Sequence, residues 1–254
     1  MKIVVGVNTL TSVDQAVYSN HCQMWFRFGR KFPDATFILN HPKRMNIDNM
    51  RNLTAKVALD QDADYILFID DDVIVPPMDV LESLLSCNAD VAAGWTIIRG
   101  YPFKNMFFEW TDETKVNLKN CEEPFIYDSD GNIPCAAVGF SCALIKVESL
   151  KLTQPPYFVT GPYNTEDIYY CMKLLNAKPD AKIVVNPLVK TSHGLGIEYI
   201  DPLNKEFYKN YVETLDPNLL VPPAVPEQQM KMHDEPVEGV PTYDEVLKEA
   251  IFGK

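Results

Sequence analysis

Three consecutive carboxylates, Asp70, Asp71 and Asp72, follow the run Tyr65-Ile66-Leu67-Phe68-Ile69, and the apolar Val73-Ile74-Val75 comes next. Side chains of like charge packed this closely repel one another unless a cation screens them, and oxygen ligands favour Mg²⁺ or Mn²⁺. A short apolar run reads as a strand buried on both faces. Its carboxyl end lies at the rim where open α/β sheets bind their ligands. The plainer reading is an acidic turn after a core strand. Three other groups carry similar double readings. Arg51-Asn52 opens the helix before the acidic strand. A guanidinium there can reach a diphosphate at the same rim with a matching fork, or it is an ordinary solvated helix arginine. Thr165-Glu166-Asp167 starts a helix, where the dipole alone favours acidic residues, and where a carboxylate facing a bound substrate is also placed as a general base. Thr191-Ser192-His193-Gly194-Leu195-Gly196 follows a strand, so His193 can complete an Asp/His metal set or be structural. His21, His41 and His233 have no such setting.

The elements that position these residues follow from periodicity. Lys2–Val7, Thr36–Leu39, Tyr65–Ile69 and Val91–Trp95 read as strands. Between the first two, Ser12 or Thr11 caps a helix that turns Val13, Val17, Met24 and Phe28 inward. Asn49–Asp62 is the next helix, with Leu53, Val57 and Leu59 for packing, and Val80, Leu81, Leu84 and Leu85 mark a third. This β-α-β-α-β-α-β order predicts a mostly parallel sheet with right-handed crossovers. From Arg99 to Pro134 the periodicity fails, with a turn at Asp128-Ser129-Asp130-Gly131-Asn132. An irregular segment of that length is functional or a small accessory hairpin. Ala143–Lys146 and Ile183–Val185 return to strand, Thr165–Leu175 to helix, and Asp201-Pro202 starts a helix faced by Ile200, Leu203, Phe207 and Tyr211.

The chain of 254 residues suffices for one sizeable α/β domain, expected over 1–215. Residues 216–254 are proline-rich, a wrapping tail or linker with one amphipathic segment, Tyr243–Phe252. A net charge of −12 argues against general nucleic-acid or anionic-membrane binding. No apolar run approaches the ~20 residues that span a bilayer, and Met1–Val7 reads as a strand, not a signal peptide. The six cysteines form no C-x-x-C pair, so reduced thiols and a cytoplasmic location are expected.

Taken in order, these features resemble the GT-A fold glycosyltransferases, particularly the large inverting family 2. The matching residues are the D-x-D-type Asp70-Asp71-Asp72, the upstream Arg51-Asn52, the glycine-containing Val138-Gly139-Phe140-Ser141-Cys142-Ala143-Leu144-Ile145, the Thr165-Glu166-Asp167 helix start and the late His193. The resemblance covers roughly residues 1–215 and implies a Rossmann-like, mostly parallel sheet with helices on both faces, an irregular acceptor-side region and a proline-rich C-terminal tail. It implies transfer of a sugar from a nucleotide-diphosphate donor to a glycan or other hydroxyl acceptor, with inversion. Asp70, Asp72 and His193 would hold Mn²⁺ or Mg²⁺, with Asp70 orienting ribose or a metal water, and Asn8, Arg51, Asp70 and Asp71 would lie on the donor. Asp167 would be the base, with Glu166 the alternative. Trp95, Trp110, Tyr101 and Phe103 are candidate sugar-stacking rings or core. Two departures stand out: Val7-Asn8-Thr9 ends the first strand without the usual signature, and Asn40-His41-Pro42 replaces an acidic residue after the second. Two rival readings are a haloacid-dehalogenase-like phosphatase and a non-catalytic domain that binds sugar nucleotides or glycans. The phosphatase's D-x-D motif belongs on the first strand, whereas two βα units precede it here.

Overall fold

The computed structural model describes residues 1–9, 12–162, 164–195 and 198–213. In chain order the elements are β1 (Lys2–Asn8), α1 (Gln15–Lys31), β2 (Thr36–Asn40), α2 (Ile47–Asp60), β3 (Tyr65–Asp70), β4 (Val73–Ile74), α3 (Val80–Ser86) and β5 (Val91–Trp95). There follow β6 (Phe107–Trp110), β7 (Leu118–Asn120), β8 (Ile133–Pro134), β9 (Ala137–Val138), β10 (Cys142–Lys146), α4 (Val147–Lys151), α5 (Glu166–Ala177), β11 (Ile183–Lys190), β12 (Ser192–Leu195), β13 (Glu198–Ile200) and α6 (Lys205–Glu213). Met1–Glu206 forms one compact unit; a second begins at Phe207, where the rings of Phe207, Tyr208 and Tyr211 pack together. The proline-rich 216–254 and the Tyr243–Phe252 segment lie outside the described residues. No helix among the described residues is long and apolar enough to cross a membrane.

The main sheet runs β2-β1-β3-β10-β5-β11-β8. Strands β2, β1 and β3 are parallel, β10 is antiparallel to both of its neighbours β3 and β5, and β11 is parallel to β5. The carboxyl ends of β1, β3, β5 and β11 and the amino end of β10 therefore meet on one edge. One sheet face buries Ile3, Val5, Val7, Leu67, Ile69, Ala92, Leu144 and Val184 against Met24 and Phe28 of α1 and Val80, Leu81 and Leu84 of α3. Within the irregular 99–134 stretch, β6 and β7 join the following β9 in a second small sheet, β7-β6-β9, and β8 pairs onto the main sheet. A third, β13-β12-β4, crosses the rim.

Local chemistry moves several expected boundaries. The first helix is capped by Asp14, whose Oδ1 accepts the Ala16 N–H at 2.8 Å, and not by Ser12, so Val13 precedes the helix; Thr11 lies outside the described residues. Helix α2 turns Thr54, Ala55 and Ala58 inward and leaves Leu53, Val57 and Leu59 only half-buried. The small side chains let α2 settle close on β1, where a Cβ on Gly6 would stand 2.8 Å from Thr54 Cγ2. Asp62 adopts a positive φ of 48°, so α2 ends short of it at Asp60. At the carboxyl terminus, Asp201 Oδ1 accepts from the N–H groups of Leu203 and Asn204, forming a turn that delays the helix to Lys205. Leu203, Phe207 and Tyr211 are consequently exposed.

The edge opposite the rim is pinned by one buried carboxylate. Asp90 accepts from Ser149 Oγ at 2.6 Å, Lys178 Nζ at 2.9 Å and the Lys182 N–H at 2.8 Å. Burial pushes its carboxyl up, but the bonds from Ser149, Lys178 and Lys182 outweigh it and hold the group below its ordinary value of 3.8. A carboxylate with a depressed folded-state value stabilises above the unfolded value and loses that contribution as pH falls through the folded one. Asp90→Asn is therefore expected to lower stability at pH 7 by about 1–3 kcal/mol. In urea melts the gap to wild type should shrink below pH 3.8.

Candidate active site

The rim gathers residues from distant parts of the chain because parallel strands end together there. Asn8 and Asp70 are register partners at the ends of β1 and β3. Asn8 is 3% exposed, and neither its amide nitrogen nor its oxygen has a hydrogen-bond partner among the described residues. A buried amide left without partners costs free energy, so a ligand with a donor and an acceptor side by side fits it. On the other flank, β10 enters antiparallel, and the Asp70 N–H donates to the Ser141 carbonyl at 2.9 Å.

Arg51 sits beneath this edge, 2% exposed, on the second turn of α2. Its Nε donates to Glu166 at 2.8 Å, Nη1 to the Phe140 carbonyl at 3.1 Å and Nη2 to Asp70 at 3.2 Å. The guanidinium carbon lies 5.0 Å from the Phe68 ring centre and 5.6 Å from that of Phe140. All three nitrogens thus have protein partners, and the rings cover the planar group. Burial disfavours the charge on Arg51, but Asp70, Glu166 and Asp167 more than restore it and raise its pKa. Burial likewise raises the carboxyl groups of Asp70 and Glu166, with Arg51 pulling each partly back. The neighbouring Asn52 clamps the stretch after Pro155-Pro156. Its Oδ1 accepts from the Tyr157 N–H at 2.8 Å, and its Nδ2 donates to the Phe158 carbonyl at 2.7 Å.

The turn through Asp71 and Asp72 leads into β4, which pairs with β12 so that Val73 faces His193. The Gly194 N–H donates to the Asp72 carbonyl at 2.8 Å, and a Cβ on Gly194 would lie 3.2 Å from that same oxygen. Glycine is what lets the two segments come this close. His193, buried at 6% exposure, sets Nδ1 2.8 Å from the Ile97 carbonyl. A carbonyl only accepts, so Nδ1 carries the hydrogen, and in the neutral ring Nε2 keeps its lone pair. That lone pair lies 3.6 Å from Asp72 Oδ1. Two acceptors face each other, and a cation between them, a proton or a metal, resolves the conflict. A histidine fixed through its outer nitrogen is the usual support of a metal ligand. The other oxygen of Asp72 accepts from Arg99 Nη1 at 2.5 Å. Burial pushes the Asp72 carboxyl up, and His193 and Arg99 together bring it below the ordinary value. Among the described residues no group of three or more His, Cys, Asp and Glu side chains is placed to hold a metal ion. The open pair Asp72/His193 suits an ion whose remaining ligands are water and substrate phosphate, the way Mg²⁺-type ions are commonly held.

Asp167 lies in the first turn of α5, 5% exposed. Its carboxylate accepts from the Thr165 hydroxyl, the Ile168 N–H at 2.8 Å and the Phe140 N–H at 3.4 Å. No lysine or arginine among the described residues forms an ion pair with it, whereas Glu166 is committed to Arg51.

The structure thus brings Asn8, Arg51, Asp70, Asp72, Glu166, Asp167 and His193 to one rim or directly beneath it. It also shows partners that the sequence reading missed. Arg99 and the Ile97 carbonyl fell in or beside the aperiodic stretch, although they closely follow a buried strand that ends at the rim. The hydroxyls of Ser141, Thr96 and Thr191 form a buried chain, with spacings of 2.8 and 2.6 Å. Trp95 and Phe103 are core.

With this sheet order and rim, the domain has a Rossmann-like α/β fold of the GT-A type. Among solved structures it is similar to A197 from STIV, at 18% identity and a TM-score of 0.52 over 80% of this chain and 91% of that one. GalNAc-T7, solved with UDP, GalNAc and Mn²⁺, aligns at 12% identity and a TM-score of 0.45, covering 76% of this chain and 43% of that one. S. aureus TarS 1–349 aligns at 14% identity and a TM-score of 0.40, covering 73% and 58%. At such identities the likeness concerns the fold. No sequence model of a protein family matches the chain, and no curated protein matches it.

Proposed function

We propose that the protein is a divalent-metal-dependent glycosyltransferase that moves a sugar from a nucleotide-diphosphate donor to a hydroxyl of a glycan or other acceptor, with inversion. The observation that carries this reading is the Asp72–His193 pair, a cation-demanding contact at the rim where α/β folds bind nucleotides. Asp72 and His193 would hold Mn²⁺ or Mg²⁺, and the ion would neutralise the leaving diphosphate as the sugar–oxygen bond breaks. Asn8 offers its unpartnered amide to the donor, and Asp70 and Asp71 line the donor's approach. Arg51 holds Asp70 and Glu166 in place from beneath. Asp167, which forms no ion pair among the described residues, is the base that takes the acceptor proton, and the ion-paired Glu166 is its structural neighbour.

The test is thermal melting with UDP-, GDP-, CMP- and dTDP-sugars, with and without Mn²⁺. One donor class at a hundred times its dissociation constant should add about 2.7 kcal/mol, or roughly 5–10 °C, only with metal. Asp72→Ala should remove that rise. A nitrogen ligand shifts preference from Mg²⁺ toward Mn²⁺, so wild type should be stabilised more by Mn²⁺, and His193→Ala should narrow the difference. Equal shifts without metal, or with Asp72→Ala, would sink the reading.

A further inference from the structure

Asp72 already has a cation, and it is a side chain. Arg99 Nη1 stands 2.5 Å from Asp72 Oδ2, on the side away from His193. The pair is open to water, with 57% of the Arg99 side chain and 30% of the Asp72 side chain exposed. Ion pairs this exposed are weak and exchange readily. Arg99 forms no ion pair with any other carboxylate among the described residues.

The loop that carries Arg99 is held at its base and turns at its tip, where the Phe103 N–H donates to the Gly100 carbonyl at 2.8 Å. An isolated bridge joins Ile97 to Asn105, the Ile98 N–H donates to the Lys104 carbonyl at 2.9 Å, and the Met106 N–H donates to the Thr96 carbonyl at 2.9 Å. At the tip, Gly100 has nothing within 4 Å of where its Cβ would be. Ile97 at the base also accepts the bond that fixes His193. One short loop therefore sets the imidazole on one side of Asp72 and presents an exposed guanidinium on the other.

We propose that Arg99 is an exchangeable stand-in for the metal that moves to the donor's diphosphate once the metal arrives. The inference rests on the metal reading of Asp72 and His193 and extends it to the order of binding. While no divalent ion is bound, the guanidinium neutralises Asp72 and keeps the acidic turn folded. A doubly charged ion held between Oδ1 and His193 repels the guanidinium from Oδ2 and withdraws the charge that kept it there. The displaced guanidinium then lies beside the ion, where phosphate oxygens completing the ion's shell must lie. Its planar fork suits two such oxygens better than one shared carboxylate oxygen does. Arg99 is thus a donor-positioning residue that opposes metal binding alone and favours metal with diphosphate.

That double effect gives the test opposite signs. Mn²⁺ alone is titrated into the full chain, with free ion followed by its paramagnetic resonance signal, for wild type, Arg99→Gln, Arg99→Lys and Asp72→Asn. Inorganic diphosphate is then titrated into the Mn²⁺-loaded proteins. Arg99→Gln should bind Mn²⁺ roughly threefold to tenfold more tightly than wild type, through loss of a competing unit charge near a surface. The same variant should bind diphosphate about tenfold more weakly, since a charged fork is lost. Arg99→Lys should fall between on both measures. Equal Mn²⁺ affinity in wild type and Arg99→Gln, with uptake abolished by Asp72→Asn, keeps the metal site and overturns the exchange. Unchanged diphosphate affinity in Arg99→Gln overturns the hand-over to the donor. No Mn²⁺ uptake by wild type and Arg99→Gln alike overturns the metal reading itself, and the exchange with it.

Discussion

Asp167→Asn is expected to lower the rate of sugar transfer by about a thousandfold while leaving donor binding within a few-fold of wild type. Positioned acid–base groups contribute roughly 10²–10⁴ in rate. The substitution keeps the size of the side chain and an oxygen for the Ile168 N–H, a bond of 2.8 Å in the wild type, and gives up only the long 3.4 Å bond from the Phe140 N–H to the other oxygen. The fold should therefore tolerate it. What the amide cannot do is take a proton. The comparison needs kcat and the donor KM separately, because a base lost from the reacting centre lowers the first and spares the second. Glu166→Gln makes the opposite control. It strips a charge from Arg51 and should cost stability more than rate. Transfer at the wild-type rate in Asp167→Asn would remove that residue from the chemistry.

Arg51→Ala should be the most destabilising single change in the domain. It leaves Glu166 at 7% and Asp70 at 19% side-chain exposure without the guanidinium that now satisfies them. It also opens a cavity between Phe68 and Phe140. Breaking one partner of a buried ion pair costs about 3–5 kcal/mol, which for a domain of this size is a fall of roughly 10 °C in melting temperature. Lysine should not rescue it, since one ammonium cannot reach the three partners on the three sides of the fork. Arg51→Met with Glu166→Gln should recover part of the loss, because the double variant removes charge from both sides. Calorimetry of wild type, Arg51→Met, Glu166→Gln and the double variant gives the coupling directly. A melting temperature within two or three degrees of wild type in Arg51→Ala would show that the network is an ornament of the fold.

The sheet and its acidic edge were readable in the chain because the apolar runs are long, regular and separated by good helix patterns. Every strand and helix expected up to Trp95 is present. The misread boundaries share a cause. Asp14, Asp62 and Asp201 each fold the local backbone through side-chain bonds or a left-handed residue, and such effects are not carried by hydrophobic period. The antiparallel course of β10 was not legible, because a buried strand of either direction has the same composition. Arg51 was picked out by type and place, but its partners Glu166 and Phe140 lie 115 and 89 residues away and emerge only on folding. Arg99 was missed for a related reason: it belongs to a stretch with no period at all, and its meaning comes from the neighbour across the rim.

The hydroxyl chain of Ser141, Thr96 and Thr191 has a consequence for how such a domain can change. Thr96 directly follows β5, and Ser141 directly precedes β10, its sheet neighbour. Everything between them leaves and re-enters the rim through a doorway fastened by hydroxyls. A second fastening lies just inside, where the Gly139 N–H donates to the Met106 carbonyl at 2.7 Å and the Met106 side chain covers the glycine. Closing a longer or shorter loop costs little, since the penalty grows only logarithmically with length. The exposed part of this stretch, from Thr111 to Lys119, can therefore be rewritten, while Ile97 and Arg99, on the near side of the second fastening, stay with the acidic edge. In such a chain the outer loop and the acidic rim are free to diverge at different speeds.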